Sequence, residues 1–505
     1  MYKSISRRKF VRLGSAAAAV PFSQWWAEHA QAQQPFKRAS AHSAAGKQAL
    51  LSYRKAVAEM EQISQTDPKN PIGWMFQYKI HQFPDQFDSL RSNPTQLAAA
   101  RNTELDSIFG AGTPQRALAA RILGTCHASA IAGGDEFWPW HRMYVFFFER
   151  ICRKLSGDPA FALPYWNYHD PNARTLPEEF RIPIGKAANK LWHSRREELN
   201  NGSPIPANRL NFGYLLQDDF FASQNQIDQD PHGAVHVYAG TEAGRPDTYD
   251  MRWVGRSPKD PIFWLHHCEI DRAWEFWLSR NSRTNPSDAP WLENRNDPER
   301  GFIFIDENGK DVLLTNGEVL KTTQIKGLLG YVYDPPPPPS PSMMSSTARR
   351  VIASAPTVSV GERRRDVSVQ ANAQTMALAE RSQMAIGTRR VHVRVGDVEV
   401  KAGEPPANIG LYLNLPDNAD PQQADQHLVA VISTFGLPHA EGHHGGSKRP
   451  DLVFDATQVA QRLADAGRWE SGLKFSTVPL DGQPKDDNIV LKDVRVEVVN
   501  TAGAF

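Results

Sequence analysis

Pro231-His232-Gly-Ala-Val-His236 and, further along, Asp260-Pro-Ile-Phe-Trp-Leu-His-His-Cys-Glu-Ile-Asp271 together line up three imidazoles able to enclose one metal ion. His232 and His236 are four apart, so on a helix both rings project from one face at neighbouring turns and can share a cation. His267 would close the site. A set of imidazoles with no cysteine or carboxylate among the ligands suits copper, zinc, nickel or iron, and spacing alone does not choose among them. A second set of histidines, His81, His127 and His141, lies upstream.

The context resembles the type-3 copper family of tyrosinases, catechol oxidases and haemocyanins, whose second copper motif reads Asp-Pro-x-Phe-aromatic-x-x-His-x-x-x-Asp. Asp260, Pro261, Phe263, Trp264, His267 and Asp271 match it in order, and the resemblance selects His267 as ligand and leaves His266 as its neighbour on another helical face. Phe137-Trp-Pro-Trp-His141-Arg142, followed by Tyr144 and Glu149, resembles the first copper motif, with His141 delivered into an apolar pocket by an aromatic-Pro-aromatic turn. The family places the preceding ligand nine residues earlier, where this chain has Ala132; the nearest histidine is His127, fourteen back, so the resemblance implies a short insertion around Gly133-Gly134. His81, closing Trp74-Met-Phe-Gln-Tyr-Lys-Ile-His81, follows an aromatic helical pattern like that of the family's first ligand. His169, in Tyr165-Trp-Asn-Tyr-His-Asp170, falls in a motif the family uses structurally.

Two trios of imidazoles imply a dinuclear centre with two copper ions, which together can pass two electrons to dioxygen; a lone zinc has no redox chemistry. The resemblance then implies oxidation of small phenolic substrates, o-diphenols to o-quinones, with monophenol hydroxylation in some members. In hydroxylating members an Asn after the fourth ligand and a Glu four residues before it hold a water that deprotonates phenols. Here those positions are Gly233 and Asp228. Glycine removes one hydrogen-bonding side chain and Asp is a methylene shorter than Glu, which favours diphenol oxidation over hydroxylation. Asp271, one turn beyond His267, reads as an outer partner of the ligand set. The rival readings are an o-aminophenol oxidase and an oxygen carrier of haemocyanin type that denies phenols access.

The elements that must position these residues follow from pattern. Runs such as Arg142 to Leu155 and Cys268 to Trp277 place ligands on aromatic helices, and the resemblance implies a mainly α catalytic domain, a four-helix bundle holding both coppers, over residues 33–334. Gly330-Tyr331-Val-Tyr333 resembles the Tyr-x-Tyr segment that closes such a domain. Pro335 to Pro339 and the Ser/Met/Ala stretch behind it read as a stiff then flexible spacer, and Ala353 to Gly387 as polar and irregular, so 335–388 is expected as linker. Beyond it Val391-His-Val-Arg-Val395, Ile409 to Leu415, Leu428 to Ser433 and Val494-Arg-Val-Glu-Val498 alternate as half-buried strands do. Residues 389–505 therefore read as a β-sandwich-like domain, similar in layout to the C-terminal domain of plant polyphenol oxidases that packs over the copper entrance.

Residues 1–32 have the order of a twin-arginine export signal: Ser6-Arg-Arg-Lys-Phe-Val-Arg12, the apolar run Leu13 to Val20, then Ala30-Gln-Ala32. That run is too short to span a membrane, so the expectation is export by the twin-arginine machinery to the periplasm or beyond. Across 505 residues, 22% charged and 40% hydrophobic content is that of a globular protein long enough for two domains. A formal net charge of +1 offers no global field for nucleic acid or an anionic membrane. Three cysteines, Cys126, Cys152 and Cys268, make no disulfide framework. Cys126 directly precedes His127, and neighbouring side chains diverge, which argues for a buried thiol rather than a thioether to that ring. His439, His443 and His444 beside Gly445-Gly446 read as a solvated glycine-rich loop.

Overall fold

Four helical segments surround the histidines. They are α1 (Ala44–Thr66), α2 (Phe137–Ser156), the broken pair α3 (Phe220–Ile227) and α4 (Ala234–Ala239), and α5 (Ile262–Leu278). The computed structural model describes residues 34–501 except 91, 126–135, 184–188, 195, 241–249, 281–282, 296–298, 337–345, 372–388, 438–448 and 470–471. The signal-like segment 1–32, Cys126, His127 and the His439 to His444 loop thus lie outside the described residues. Everything below belongs to one body, Phe36–Phe505.

α2 is buried on nearly every side, which places it at the centre of the bundle rather than on its surface. α1, α3 and α5 all pack against it. Pro139 sits in its first turn, where the missing N–H is harmless, and Gly157 ends it in the left-handed region at φ 68°, a conformation glycine adopts without a Cβ penalty. Phe148 of α2 stacks on Trp264 of α5, ring centroids 3.4 Å apart. Both are buried, so truncating either to alanine would cost about 3–5 kcal/mol.

The ends of the helical region are clasped together. Phe36–Ala39 pairs in parallel with Tyr331–Asp334, Phe36 opposite Tyr331 and Arg38 opposite Tyr333. Arg38 is fully buried, its Nε 2.8 Å from Glu149 of α2 and its Nη1 3.2 Å from Asp271 of α5. The Tyr331 and Tyr333 hydroxyls both donate to Asp271, and Arg142 reaches the other oxygen of the same carboxylate. Asp271 is buried, and it locks α5, the helix that carries His267, to α2 and to the closing strand.

The C-terminal region is an antiparallel sheet of β1 (Ser346–Val360), β2 (Arg365–Ala371), β3 (Arg389–Val400), β4 (Asn408–Leu413), β5 (Leu428–Ser433), β6 (Leu452–Asp455), β7 (Leu473–Asp481) and β8 (Ile489–Thr501), in the order β5-β4-β7-β2-β1-β8-β3-β6. Among the described residues its halves pair where Ala353 and Ser354 meet Ala371 and Gln370. Residues of both halves share a single apolar core, among them Val358, Val393, Leu411 and Phe475, which is the sandwich-like arrangement expected.

One expectation fails here. The span 335–388 is not linker throughout, because β1 and β2 occupy 346–360 and 365–371. Ile352, Ala353, Ala355, Val358 and Val360 are buried while Ser354, Thr357 and Ser359 are not, so the alternation slips across Pro356 and is carried in part by small residues with weak apolar contrast. The strand is defined instead by its partner β8, far away in sequence. Pro356, which has no N–H to give, falls where the pairing steps over Pro356 and Asp493, between Ala355↔Val494 and Thr357↔Lys492.

Candidate metal centre

The helix bearing His232 and His236 is interrupted just before them. Asp230 takes extended φ/ψ values of −153° and 124°, and Pro231 follows it before the chain turns helical again into α4. His232 and His236 then lie on one face, their rings 4.6 Å apart and nearly perpendicular. α5 brings His267 against them, its Nε2 3.3 Å from His236 Nε2. α2 supplies His141, whose ring stacks on that of His267 at 4.3 Å. His81 lies just past the short helix Trp74–Lys79 with its ring 5.8 Å from His141. Five of the six expected ligand residues thus form one continuous cluster, and the sixth, His127, lies outside the described residues.

The second ring nitrogens show which atom each imidazole offers. Nδ1 of His81 faces the Val254 carbonyl at 3.0 Å, that of His141 the Phe137 carbonyl at 2.8 Å, that of His232 the Asp228 carbonyl at 2.9 Å and that of His236 the Met251 carbonyl at 2.8 Å. A carbonyl can only accept, so each Nδ1 carries the proton and each Nε2 presents a lone pair. This is the outer-shell arrangement that orients metal-bound histidines. Burial pulls the His81 pKa down to about 3 and drives those of His236 and His267 well below the usual imidazole value. Those three rings are therefore neutral at physiological pH, the form in which an imidazole binds a metal. A buried, all-nitrogen donor set with lone pairs converging fits copper.

The walls are apolar. Phe137 packs on His141 and His232, Phe263 on His267, and Trp140 on His81. One further wall comes from the C-terminal region: Phe435, two residues beyond β5, stacks flat on His236 with centroids 4.2 Å apart and meets His232 edge-on at 5.5 Å. No local sequence signal marks Phe435, since its contact is made across some two hundred residues of chain.

Asp228 and Gly233 flank His232 in sequence. Asp228 is half-buried and puts Oδ1 3.1 Å from Nδ1 of His232. Gly233 is where the C-terminal region touches α4, since a Cβ there would lie 2.9 Å from Ser433 Oγ. His169 stands outside the cluster, its Nδ1 2.5 Å from Glu269 and its Nε2 3.1 Å from the Tyr214 hydroxyl. His266 does join the cluster: it offers a nitrogen within 4.8 Å of those of His232, His236 and His267. Helical spacing sets it on another face, yet neighbouring residues of α5 both reach the cluster. Cys152 and Cys268 are buried free thiols, and among the described residues no helix is long and apolar enough to cross a membrane.

Residues 85–205 and 186–280 match the family model described as the common central domain of tyrosinase, and residues 348–499 match a domain of unknown function, DUF7868. Tyrosinase HcTyr1 of Hahella sp. (strain CCB-MM4) is 29% identical over 484 residues, 87% of this chain and 94% of that protein. A chloroplastic polyphenol oxidase of Malus domestica is 31% identical over 229 residues, 39% of this chain and 37% of its own length. Among solved structures, recombinantly expressed latent aurone synthase (polyphenol oxidase) superposes with a TM-score of 0.56 at 19% identity, over 94% of this chain and 91% of that one. Latent apple tyrosinase gives 0.54 at 20% identity, over 92% and 98%. These two likenesses speak to the fold, and they extend over both the helical region and the C-terminal sheet.

Proposed function

We propose that this chain, a member of the tyrosinase family of type-3 copper proteins, oxidises o-diphenols to o-quinones with dioxygen at a dinuclear copper centre. The observation that carries the reading is the buried cluster of imidazoles with their Nδ1 atoms tied to backbone carbonyls. His81, His127 and His141 would hold one ion, and His232, His236 and His267 the other. Bound as a pair, the copper ions supply two-electron exchange with dioxygen, which no side chain can. The chain's own share is to fix the rings and line the chamber with Phe137, Trp140 and Phe263 so that a flat phenol can stack and water is kept out. Oxidation is expected to favour diphenols over monophenols: Gly233 has no side chain to hold a water, and Asp228 is a methylene shorter than a glutamate would be.

The C-terminal sheet would act as a lid, a role supported by Phe435 lying on His236. Residues 1–32 would direct export by the twin-arginine route, placing the mature protein in the periplasm or outside the cell. The deciding experiment measures quinone formation from a catechol by the copper-loaded chain, before and after removal of the metal and with His267→Ala. Quinone formation that survives metal removal would refute the reading, as would a loaded protein that binds dioxygen but turns over no phenol after proteolytic removal of the C-terminal region. Parallel turnover of an o-aminophenol separates the two oxidase activities.

A further inference from the structure

We propose that His266 is a reserve ligand of the second copper position, completing with His232 and His236 a trio that holds an ion without His267. The inference rests on the dinuclear reading above and deepens it. The second position is surrounded by four imidazoles where three suffice. The His266 ring lies parallel to that of His232 at 5.4 Å and edge-on to that of His236 at 4.8 Å. Its Nδ1 is fixed by the Tyr168 hydroxyl at 3.1 Å, in a contact buried from solvent. Its Nε2 is buried and makes no hydrogen bond of normal geometry among the described residues, although the His232 backbone is near enough to oppose, in small part, the downward push that burial gives its pKa. One nitrogen held by an outer group and the other left over beside neighbouring imidazoles is the arrangement of a ligand, not of a histidine satisfied by the core.

His267 is placed differently. It stands between the two positions, stacked on His141 on one side and with Nε2 near His236 on the other, and its Nδ1 is buried without a hydrogen bond. Of the adjacent pair on α5, His267 is thus the ring shared between the two halves of the centre, and His266 the one anchored beside the second.

The test uses the full-length chain stripped of metal, reloaded with cupric ion, washed, and analysed for copper per chain, with circular dichroism to confirm folding. The wild type is expected to retain two ions, His267→Ala two, and the His266→Ala/His267→Ala double variant one. Tyr168→Phe removes the outer partner of His266, so in the His267→Ala background it should weaken the second ion roughly tenfold to a hundredfold while leaving the wild-type background unchanged. A single ion in His267→Ala, equal to the double variant, overturns the proposal; should the alanine variant fail to fold, His267→Gln, which keeps more of the side-chain volume, puts the same question, and a single ion there overturns it equally. Fewer than two ions in the wild type would instead sink the dinuclear reading itself, so the two failures are told apart.

Discussion

If the C-terminal sheet acts as the proposed lid, access of a phenol to the metal centre turns on Phe435, a single ring lying flat on His236 and edge-on to His232. Such a stack is worth about 0.5–1.5 kcal/mol beyond the area it covers. Phe435→Ala in the full-length chain should therefore raise catechol turnover at low substrate roughly twofold to tenfold, with copper content unchanged; equal turnover in both proteins would show that the ring does not obstruct. Gly233 gives a second handle. An asparagine there would restore the water-holding side chain but would drive its Cβ into Ser433, 2.9 Å away, so Gly233→Asn should increase diphenol turnover and proteolytic susceptibility before it changes the ratio of monophenol to diphenol activity. Ser433→Gly should reverse the first two effects. The ligand motifs around His141, His232 and His267 were legible because each is a short local pattern. Phe435, Ser433 and Tyr168 were not, because each acts by one contact with a residue distant in sequence, and His266 reads as lying off the site for as long as the cluster is taken to occupy one side of α5 only.

At the scale of elements, the clasp through Asp271 is what holds α5, and with it His267, against α2. Four groups converge on this buried carboxylate, Arg38, Arg142, Tyr331 and Tyr333, so Asp271→Asn leaves two guanidinium groups short of a counter-charge and should cost about 3–5 kcal/mol. Tyr331→Phe removes only one donor and should cost about 1–2 kcal/mol; chemical denaturation of the metal-free chain at neutral pH measures both. Burial alone would raise the Asp271 pKa, but Arg142 and then Arg38 outweigh it and hold it below the usual value; at Asp260, Arg196 does the same. Depressed carboxyls stabilise the fold above their unfolded pKa of about 3.9 and lose that contribution as pH falls through the lower folded value. Stability should thus decline steeply below about pH 4, and less steeply in Asp271→Asn; identical acid profiles would show that the clasp carries no charge-linked stability. The helices of this region were readable from their aromatic runs. β1 and β2 were not: β1 is rich in alanine, serine and threonine, which give a strand little apolar contrast, and the partners that define the two strands, β8 for β1 and β7 for β2, lie far along the chain.

The whole molecule sets a sheet against a bundle, and the joint between them is polar as well as aromatic. Arg209 pairs with Asp481 of β7 at 2.9 Å, and Asn408 of β4 donates both to that carboxylate and to the Ala234 carbonyl at the start of α4. The backbone N–H of Val453 donates to Gln226 of α3, and Arg252 reaches the Pro406 carbonyl. All these partners on the bundle lie on or beside the helices that carry His232 and His236, so the C-terminal sheet is fastened to the elements that the proposed lid would cover. Removing one partner of a buried pair costs more than the pair is worth, because the other charge stays behind. Asp481→Asn, which strands Arg209, should therefore loosen the lid, whereas the double variant with Arg209→Met should restore much of its closure. The chain between Asp334 and β1 holds Pro335 to Pro339 and then Ser340 to Ser345, a joint long enough to cut without touching any proposed ligand, since all six precede it. Cleavage between Ser340 and Ser345 should raise catechol turnover and leave both coppers in place, with the larger gain in wild type and the smaller in Asp481→Asn, whose lid already opens. Limited proteolysis followed by steady-state assays and metal analysis tests the whole set at once. If intact and cleaved wild type turn over catechol equally, the C-terminal sheet is a stabilising partner of the bundle and not its lid.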